Sequence, residues 1–278
     1  MILTRDLHFA YEDNGTPVLK NINMEIREGK HVAIIGPNGC GKTTLVKHLN
    51  GLLLPTAGEV LVDEMDTRDS RNLKGIRQRV GMVFQNPDDQ IVGMTVEEDV
   101  AFGPGNLNMP PSEIRNRVRK SLETVGMDSH AKRPPQALSN GEKQLVAIAG
   151  VLATEPKYLI LDEPTTYLDP LWKQRVMELT LDLKNHGITI IHVTHGMSEA
   201  VQADLVFVMH HGEIMTKGEP EEVFSKRGYL EDMGLEIPEI SKLMWRMREM
   251  GIQVDPCVFT IDKAAEELFP LLSKPGGG

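Results

Sequence analysis

The sequence of 278 residues is poor in cysteine, in aromatic residues and in long apolar runs. Its two cysteines, Cys40 and Cys257, are too few for a disulfide framework, which is typical of a protein in a reducing compartment. No apolar run approaches the ~20 residues that cross a bilayer. The stretch from Met1 to Asp13 carries charges where a signal peptide would need an apolar region. These absences predict a soluble, cytoplasmic protein.

Basic residues are outnumbered, since 30 lysines and arginines stand against 40 aspartates and glutamates and the formal net charge is -10. This balance argues against broad electrostatic binding to nucleic acid or to anionic lipid. One basic stretch, Ser112 to Lys120, is interpreted as the solvated face of a helix. Hydrophobic and charged contents of 40% and 25% are ordinary for a globular protein, and the length allows one large or two modest domains.

A glycine-rich stretch, Gly36 to Thr44 (GPNGCGKTT), lies between an apolar run, His31 to Ile35, and a segment with helical spacing, Leu45 to Leu49. This order of strand, turn and helix is the context of a phosphate-binding loop. The glycines let successive amides point inward, and the helix start adds its positive end. Lys42 would place its ammonium against the β- and γ-phosphates, and the Thr43 hydroxyl would hold Mg²⁺. The predicted phosphate-site residues are Gly36, Pro37, Asn38, Gly39, Cys40, Gly41, Lys42, Thr43 and Thr44.

Cys40 has two readings inside this loop. Nearby amides and Lys42 could lower the pKa of the thiol and make it reactive. The reading that we favour is a small side chain that fits the turn.

A second apolar run, Tyr158 to Leu161, is typical of a parallel strand that is buried on both faces. It is followed by two carboxylates, Asp162 and Glu163, at the end of the strand where ligands bind in open α/β sheets. Asp162 would hold Mg²⁺, and Glu163 would act as a general base on the attacking water. Adjacent carboxylates are also common in solvated turns, but the apolar strand and the upstream phosphate loop favour the functional reading.

Histidines occur at three places that invite interpretation. His195 follows a third apolar strand, Ile188 to Val193, and so could reach the same edge of the sheet and contact a γ-phosphate. His192 lies within the strand pattern and is predicted to be packed. His210 and His211 precede a glycine at a predicted turn, which favours a loop over a metal site.

The polar stretch Leu138 to Gln144 (LSNGEKQ) precedes another apolar run, Leu145 to Leu152. Ser139 can cap the helix that follows, and Glu142 can reach back to the cap amide to form a capping box. On its own, this stretch is explained equally well by a simple helix start and by a functional role.

Four motifs occur in a fixed order along the chain: GPNGCGKTT, FQNPDDQ, LSNGEKQ, and LILDEP with a later Thr-His. This set resembles the nucleotide-binding ATPase subunit of ABC transporters over roughly Met1 to Lys217. The LSNGE-type signature separates the resemblance from other phosphate-loop proteins. It implies an α/β phosphate-loop NTPase (RecA-like) core with an inserted helical subdomain, which uses ATP and Mg²⁺.

The resemblance also implies roles for single residues. Tyr11 is similar to the aromatic residue on which adenine stacks, although an exposed tyrosine at a strand end reads the same way. Gln85 is similar to the Q-loop glutamine that contacts Mg²⁺ and the water, Asp169 to the D-loop aspartate that links two sites, and His195 to the switch histidine. The implied catalytic residues are Glu163, His195, Gln85 and Lys42, and the implied metal ligands are Thr43, Gln85 and Asp162.

In this family two subunits stack head to tail, and the signature of each covers the ATP bound by the other. Ser139 and the Gly141 amide would then hold the partner's γ-phosphate at a positive helix start. The sequence departs from the family pattern at Asn140, usually glycine, at Glu142, usually glutamine, and at Tyr167, usually small. Because Glu142 adds negative charge near phosphate, we expect slower turnover or weaker ATP-driven dimerisation than glutamine would give.

The segment Phe84 to Pro110 resembles the energy-coupling factor (ECF) group of ABC transporters, which includes cobalt and nickel importers of the CbiO type and vitamin importers. In that group it forms a short helix after the Q-loop, beside which coupling helices of the membrane partner dock. The resemblance therefore implies an ATPase that powers import of cobalt, nickel or a vitamin. Its implied partners are a membrane-embedded coupling protein and a substrate-binding membrane component, and its implied location is the cytoplasmic face of the membrane.

The predicted fold class is α/β. The ATPase domain is predicted over residues 1–220, with a core of 1–84 and 155–220 and a helical subdomain of 85–154. Residues 221–278 are predicted as a C-terminal helical extension. In it, one helical face between Pro238 and Gly251 carries apolar residues, and a second short helix covers about Ile261 to Leu268. The residues of that face are Ile240, Leu243, Met244 and Met247.

Similar extensions in ECF ATPases help to hold the dimer together, although the stripe also reads as ordinary core. A homodimer and a heterodimer with a paralogous ATPase both fit the sequence. One alternative function is a soluble ABC ATPase that acts on nucleic acid or the ribosome, but the single phosphate loop, the lack of heptads and the net negative charge argue against it. The other is the ATPase of another ABC transporter class.

Overall fold

The computed structural model describes residues 1–12 and 15–272 of the chain. Residues of alternating polarity or unbroken apolar runs form its strands. In the described residues these are β1 (Ile2–Ala10), β2 (Pro17–Ile26), β3 (His31–Ile35), β4 (Ala57–Val62), β5 (Met65–Asp66), β6 (Val80–Val83), β7 (Tyr158–Asp162), β8 (Thr189–Val193), β9 (Leu205–His210) and β10 (Glu213–Gly218).

A first sheet is antiparallel and has the strand order β2-β1-β4-β5. In β2, the buried residues Ile22, Met24 and Ile26 alternate with exposed ones, as expected of a strand with one face on the core. This sheet packs against the phosphate-loop helix through Leu45 and Leu49, which belong to the same apolar cluster.

A second sheet has the order β10-β9-β3-β8-β7-β6, and only β10 runs antiparallel to its neighbour. Every residue of β3, β7 and β8 is buried, which confirms the strands predicted from the three apolar runs. β9 and β10 form a hairpin, and the predicted turn between them places His211 and Gly212 at positive φ. The predicted α/β fold class is confirmed.

Parallel register brings the carboxyl ends of β3, β6, β7 and β8 to one edge of this sheet. The phosphate loop follows β3, Gln85 lies beyond β6, Glu163 follows β7, and His195 lies beyond β8. Ligands bind at such an edge because side chains from separate loops converge there.

Helices lie between the strands and after the last one. Those of the described residues are α1 (Lys42–Leu49), α2 (Leu73–Arg79), α3 (Val96–Asn106), α4 (Pro111–Val125), α5 (Asn140–Leu152), α6 (Pro170–Asn185), α7 (Met197–Ala200), α8 (Pro220–Phe224), α9 (Arg227–Asp232), α10 (Glu239–Glu249) and α11 (Ile261–Leu272). Three single turns of 3-10 helix cover Pro87–Asp89, Asp128–His130 and Pro135–Ala137.

The segment between β6 and β7 contains only helices and turns. Its helices α3, α4 and α5 pack together through Val100, Leu122 and Val146, and the same apolar cluster reaches Leu159 and Leu161 of β7. The division of the chain at residues 84, 154 and 220 stays a prediction.

The chain after β10 is helical over α8 to α11. Met244 of α10 is buried and Ile240 and Met247 are packed beside it, whereas Leu243, predicted on the same face, is 47% exposed. Leu243 lies at the edge of the apolar stripe centred on Met244, where the described residues leave it about half exposed. The final helix begins at Ile261 as predicted but continues to Leu272 rather than ending near Leu268.

No helix within residues 1–12 and 15–272 is both long enough and apolar enough to cross a membrane.

The imidazole rings of His31 and His192 are fully buried and stacked, with their centroids 5.8 Å apart. His192 is therefore packed, as predicted. Burial, with a smaller effect from His192, lowers the pKa of His31 to about 3, so this ring stays neutral in the folded protein.

His31 makes the folding stability sensitive to acid. Its pKa is near 6.5 in the unfolded chain and about 3 in the folded one, so the unfolded state binds the extra proton as the pH falls below 6.5. Between pH 7.5 and 5 this group should lower the free energy of unfolding by about 2 kcal/mol. Urea unfolding at both pH values should show a loss that is smaller by that amount in His31→Leu. An equal loss in both proteins would contradict the assignment.

Candidate nucleotide-binding site

The phosphate loop between β3 and α1 is built by close backbone approach. A Cβ at Gly36 would lie 2.3 Å from the carbonyl oxygen of Met209 in β9, so no side chain fits there. Gly41, the N-cap of α1, has φ +104°, which favours glycine. The Lys42 Nζ donates to the carbonyl oxygens of Gly36 at 2.8 Å and Pro37 at 3.1 Å. The ammonium therefore lies across the mouth of its own loop.

Burial shifts the titration of two groups in this loop. It lowers the pKa of Lys42, because the buried ammonium has lost water, and an anionic phosphate would offset that loss. It raises the pKa of the Cys40 thiol, which is only 6% exposed. The structure thus favours the reading of Cys40 as a small residue that fits the turn over a reactive thiol.

Two oxygen ligands lie together where a metal site was predicted. The Thr43 hydroxyl donates to Oδ1 of Asp162 at 3.2 Å, across the interface of α1 and β7. Burial raises the pKa of Asp162, so the carboxylate would gain from a nearby cation. Hydroxyl and carboxylate oxygens are ligands that Mg²⁺ accepts. The residues present therefore fit this ion.

The Glu163 carboxylate is the centre of the site. Its Oε2 accepts from Nε2 of Gln85 at 2.9 Å and from the Thr166 hydroxyl at 3.2 Å, and its Oε1 lies 2.5 Å from Nε2 of His195. Its backbone adopts φ +49°, an uncommon value for a residue with a side chain, and its amide donates to the Val193 carbonyl at 2.9 Å. Three predicted catalytic residues are thus in direct contact.

Tyr11 lies just past the end of β1. Its hydroxyl is 3.2 Å from that of Thr44 in α1, and its ring meets Phe9 edge to face at 4.8 Å between centroids. The ring is 43% exposed. A base could stack on the free face while the phosphates reach the loop beside it.

The signature stretch begins α5 as the capping box predicted. The Ser139 amide donates to Oε2 of Glu142 at 2.7 Å, its hydroxyl donates to the same oxygen at 2.8 Å, and the Glu142 amide lies 3.4 Å from the hydroxyl. Nε2 of His130 is 3.4 Å from the other carboxylate oxygen of Glu142. An ion pair of 2.7 Å also joins Lys143 in the same turn to Asp88 beside the Q-loop.

Gly141 is buried under Trp172 of α6. A Cβ at Gly141 would lie 2.1 Å from the indole ring, so glycine permits the two helices to meet. Sequence reasoning assigned only a phosphate contact to this residue and missed its packing role.

Asp169 caps α6 by accepting from the amides of Leu171 at 3.0 Å and Trp172 at 3.2 Å. Within residues 1–12 and 15–272, no hydrogen bond joins Asp169, Ser139 or Gly141 to the phosphate loop. The predicted site residues therefore form two groups. One is gathered around Glu163 and the phosphate loop, and the other lies at the starts of α5 and α6.

Sequence reasoning missed the hydroxyls and the carboxylate that support the first group. These are Thr165, Thr166, Thr194 and Glu199. Thr194 stands next to His195, and Thr165 and Thr166 lie two and three residues after Glu163, which is the one signal that pointed to them. Glu199 carries a weaker signal, since it is a single acid in a short helix with apolar neighbours.

Comparison with known proteins agrees with this geometry. The ABC transporter family pattern matches residues 19–166. The cobalt import ATP-binding protein CbiO of Syntrophus aciditrophicus (strain SB) is 52% identical over 275 residues, 99% of this chain and 98% of that protein. The energy-coupling factor transporter ATP-binding protein EcfA1 of Caldanaerobacter subterraneus subsp. tengcongensis is 47% identical, over 96% of this chain and 98% of that one.

Solved structures agree as well. That of cbiO1 from Clostridium perfringens, described as part of the ABC transporter complex cbiONQ, superposes with a TM-score of 0.76 at 39% identity, over 90% of this chain and 96% of that one. A dimeric ATP-binding cassette, MJ0796, bound to ADP and phosphate has a TM-score of 0.72 at 31% identity and covers 79% of this chain and 99% of its own.

The fold and the site define an ATPase of the phosphate-loop class. The chain belongs to the ABC transporter family, as an ATP-binding subunit. Its nearly full-length similarity to CbiO and EcfA1 proteins confirms the predicted resemblance to the ECF group. The predicted enzyme class, a transport-coupled ATPase, is confirmed with it.

Glu142 gives this site a testable peculiarity. The hydrogen bonds from the Ser139 amide and hydroxyl lower the pKa of Glu142, so the carboxylate is ionised and holds the hydroxyl proton. In Glu142→Gln the amide oxygen accepts less strongly and the charge is gone, which frees Ser139 to face a phosphate. We expect ATP turnover, or ATP-dependent dimerisation, to rise about three- to tenfold, equivalent to about 0.7 to 1.4 kcal/mol.

The matched control is Glu98→Gln, because Glu98 closes the same kind of capping box on Thr95 in α3. It should leave both quantities unchanged. Unchanged hydrolysis and unchanged dimerisation in Glu142→Gln would overturn the expectation.

Proposed function

We propose that this protein is the ATP-hydrolysing subunit of an ECF-type importer, and that ATP bound between two head-to-tail copies drives uptake through separate membrane proteins. The contact of Glu163 with both Gln85 and His195 is the observation that carries the proposal. Through this contact the loops that follow β6, β7 and β8 meet at one carboxylate. They meet at the edge of the sheet where the phosphate loop also lies.

ATP is held by the phosphate loop and Tyr11. The tyrosine ring stacks on the adenine, and the backbone N–H groups of the residues from Gly36 to Thr44, except Pro37, surround the phosphates. The Lys42 ammonium, which now donates to two carbonyls of its own loop, turns to the β- and γ-phosphates. The exchange is favourable because the phosphates carry full charge and the carbonyls do not.

Thr43 and Asp162 would hold Mg²⁺, with Gln85 as a further oxygen ligand, and the ion would supply neutralisation of the charge on the phosphates. The buried carboxylate of Asp162 and the Thr43 hydroxyl 3.2 Å away support this assignment.

Hydrolysis uses Glu163 as the general base. Its carboxylate takes a proton from water that is aligned with the γ-phosphate, while Gln85 orients the carboxylate through the 2.9 Å hydrogen bond. His195 lies next to the other carboxylate oxygen and, together with Lys42, stabilises charge on the γ-phosphoryl group as it passes to water and ADP leaves.

A second copy completes each site. Ser139 and Asn140 at the start of α5 are exposed, and within the described part of the chain no hydrogen bond joins Ser139 to its own phosphate loop, so this end of α5 can face the γ-phosphate bound by a partner. Asp169 at the start of α6 links the two sites. Both a homodimer and a pair of paralogues satisfy this arrangement.

The tail contributes to the same dimer. Beside the half-exposed Leu243, several large apolar side chains of the tail are open to solvent, namely Met250, Ile252, Ile261, Phe269 and Leu271. An exposed apolar surface of this kind supports an interface role for α10 and α11.

The membrane partner docks beside the Q-loop. Val92, Met94 and Phe102 expose more than half of their side chains there, and Asp99 fixes the loop by accepting from the Val92 and Gly93 amides at 2.7 and 2.9 Å. A coupling protein that buries this apolar surface holds the ATPase at the cytoplasmic face of the membrane, beside the substrate-binding component. No role for nucleic acid is proposed.

The base is tested by Glu163→Gln, which keeps the shape of the side chain and removes its basicity. We expect ATP hydrolysis to fall by at least about a hundredfold, since general bases contribute about 10² to 10⁴. ATP binding should persist, and the variant should accumulate as an ATP-bound dimer in size-exclusion chromatography. Hydrolysis at the wild-type rate would rule out Glu163 as the base.

The cargo is tested in vesicles that hold the ATPase with the membrane proteins that copurify with it. The name of the 52% identical relative supports cobalt, so we expect ATP-dependent uptake of Co²⁺ that Glu163→Gln abolishes. Nickel and vitamins are assayed in parallel. If a vitamin is taken up and Co²⁺ is not, the cargo is a vitamin rather than cobalt, and the assignment as an ATPase is unaffected.

A further inference from the structure

Glu199 carries a buried carboxylate that the proposed mechanism does not use. It belongs to the short helix α7 and is 8% exposed. Its Oε1 accepts from the Thr165 hydroxyl at 2.7 Å, and its Oε2 accepts from the Thr194 hydroxyl at 2.5 Å. Nε2 of His192 lies 3.4 Å from Oε2. A carboxylate buried in this way is costly unless its partners are fixed, so the arrangement is specific.

The two threonines belong to the two loops that carry the proposed base and the switch histidine. Thr165 lies two residues after Glu163, and Thr194 lies one residue before His195. The same Thr194 oxygen accepts from the Gly196 amide at 2.9 Å, which fixes the turn on the far side of His195. Glu199 therefore joins the two loops through Thr165 and Thr194, while Glu163 and His195 of the same two loops lie 2.5 Å apart.

The charge of Glu199 sets the direction of these hydrogen bonds. Burial by itself raises the pKa of Glu199, but His192 and the hydroxyls of Thr165 and Thr194 outweigh burial and hold the pKa at about 2. The carboxylate is thus ionised at neutral pH and can only accept. Both hydroxyls must donate to it, and neither can rotate away without taking a hydrogen bond from a buried charge.

We propose that Glu199 is a positioning residue for ATP hydrolysis, which holds Glu163 and His195 in contact by bracing the loops after β7 and β8. The inference rests on the roles proposed above for those two residues. Glu163 has a backbone conformation that persists only when its surroundings impose it, and the brace supplies part of that constraint. A shift of about 1 Å at a reacting group can cost about a hundredfold in rate.

The first variant is Glu199→Gln, which keeps the volume and turns one acceptor into a donor. If the new amide group faces Thr194, whose oxygen already accepts from Gly196, the hydroxyl loses its acceptor. We expect kcat to fall at least about tenfold, with the KM for ATP and the binding of a non-hydrolysable ATP analogue changed less than about twofold. The control is Glu178→Gln, the same change on an exposed glutamate of α6, which should leave kcat unchanged.

A second pair separates hydrogen bonding from packing. Thr194→Val keeps the shape and loses the hydroxyl, whereas Thr194→Ser keeps the hydroxyl and loses a buried methyl group. Bracing predicts that Val lowers kcat as Glu199→Gln does and that Ser retains most of it. A role in packing alone predicts the opposite, a lower kcat in Thr194→Ser than in Thr194→Val, since the loss of the methyl group leaves a cavity in Thr194→Ser. This pair also decides the question if Glu199→Gln does not fold.

Glu163→Gln is measured beside these variants. Wild-type rates in Glu199→Gln and Thr194→Val, or a Ser variant as slow as Val, would overturn the brace while the loss in Glu163→Gln upholds the proposed function. A wild-type rate in Glu163→Gln would instead remove the base on which both proposals rest.

Discussion

The parallel register of β3, β8 and β7 is the constraint on which the rest of this protein depends. Ile34 pairs with Val193, and Val193 with Asp162, so the loops that follow these strands start at one level. The Glu163 amide extends the ladder by one bond to the Val193 carbonyl and then departs from strand geometry. A one-residue slip would turn every side chain to the other face, and the carboxylate would no longer meet its neighbours.

The chemistry of the site follows from how charge is distributed across that edge. Burial removes water from the charged groups of Asp162 and Lys42 and so destabilises them. We expect bound metal and nucleotide to offset that loss. Glu199, in contrast, is compensated within the chain by His192 and two hydroxyls. The buried charges of Asp162 and Lys42 thus lack full compensation until a ligand binds, whereas the buried charge of Glu199 is compensated by residues of the chain itself.

Much of this was open to prediction from the sequence. Apolar runs predicted β3, β7 and β8, and the pair of Ser139 and Glu142 predicted the start of α5. These predictions succeeded because their signals lie within a few residues of one another in the sequence. The packing of Trp172 on Gly141 and the contacts of Glu199 join segments that lie far apart in the chain, so no local pattern reveals them. Leu243 and the end of α11 were misjudged for a related reason, since the extent of a helix and of its buried face depends on what packs against it.

In the dimer proposed above, the capping box of α5 bears on how two copies come together. Both hydrogen bonds of the capping box lie within one chain, and the ion pair of Lys143 with Asp88 holds the same turn. The surface offered to a second molecule is therefore already formed in the isolated subunit. Encounter then requires no disorder-to-order step, and little conformational entropy is lost on docking. In that proposal the nucleotide sets the lifetime of the pair, and the start of α5 does not have to refold between cycles of closure and separation.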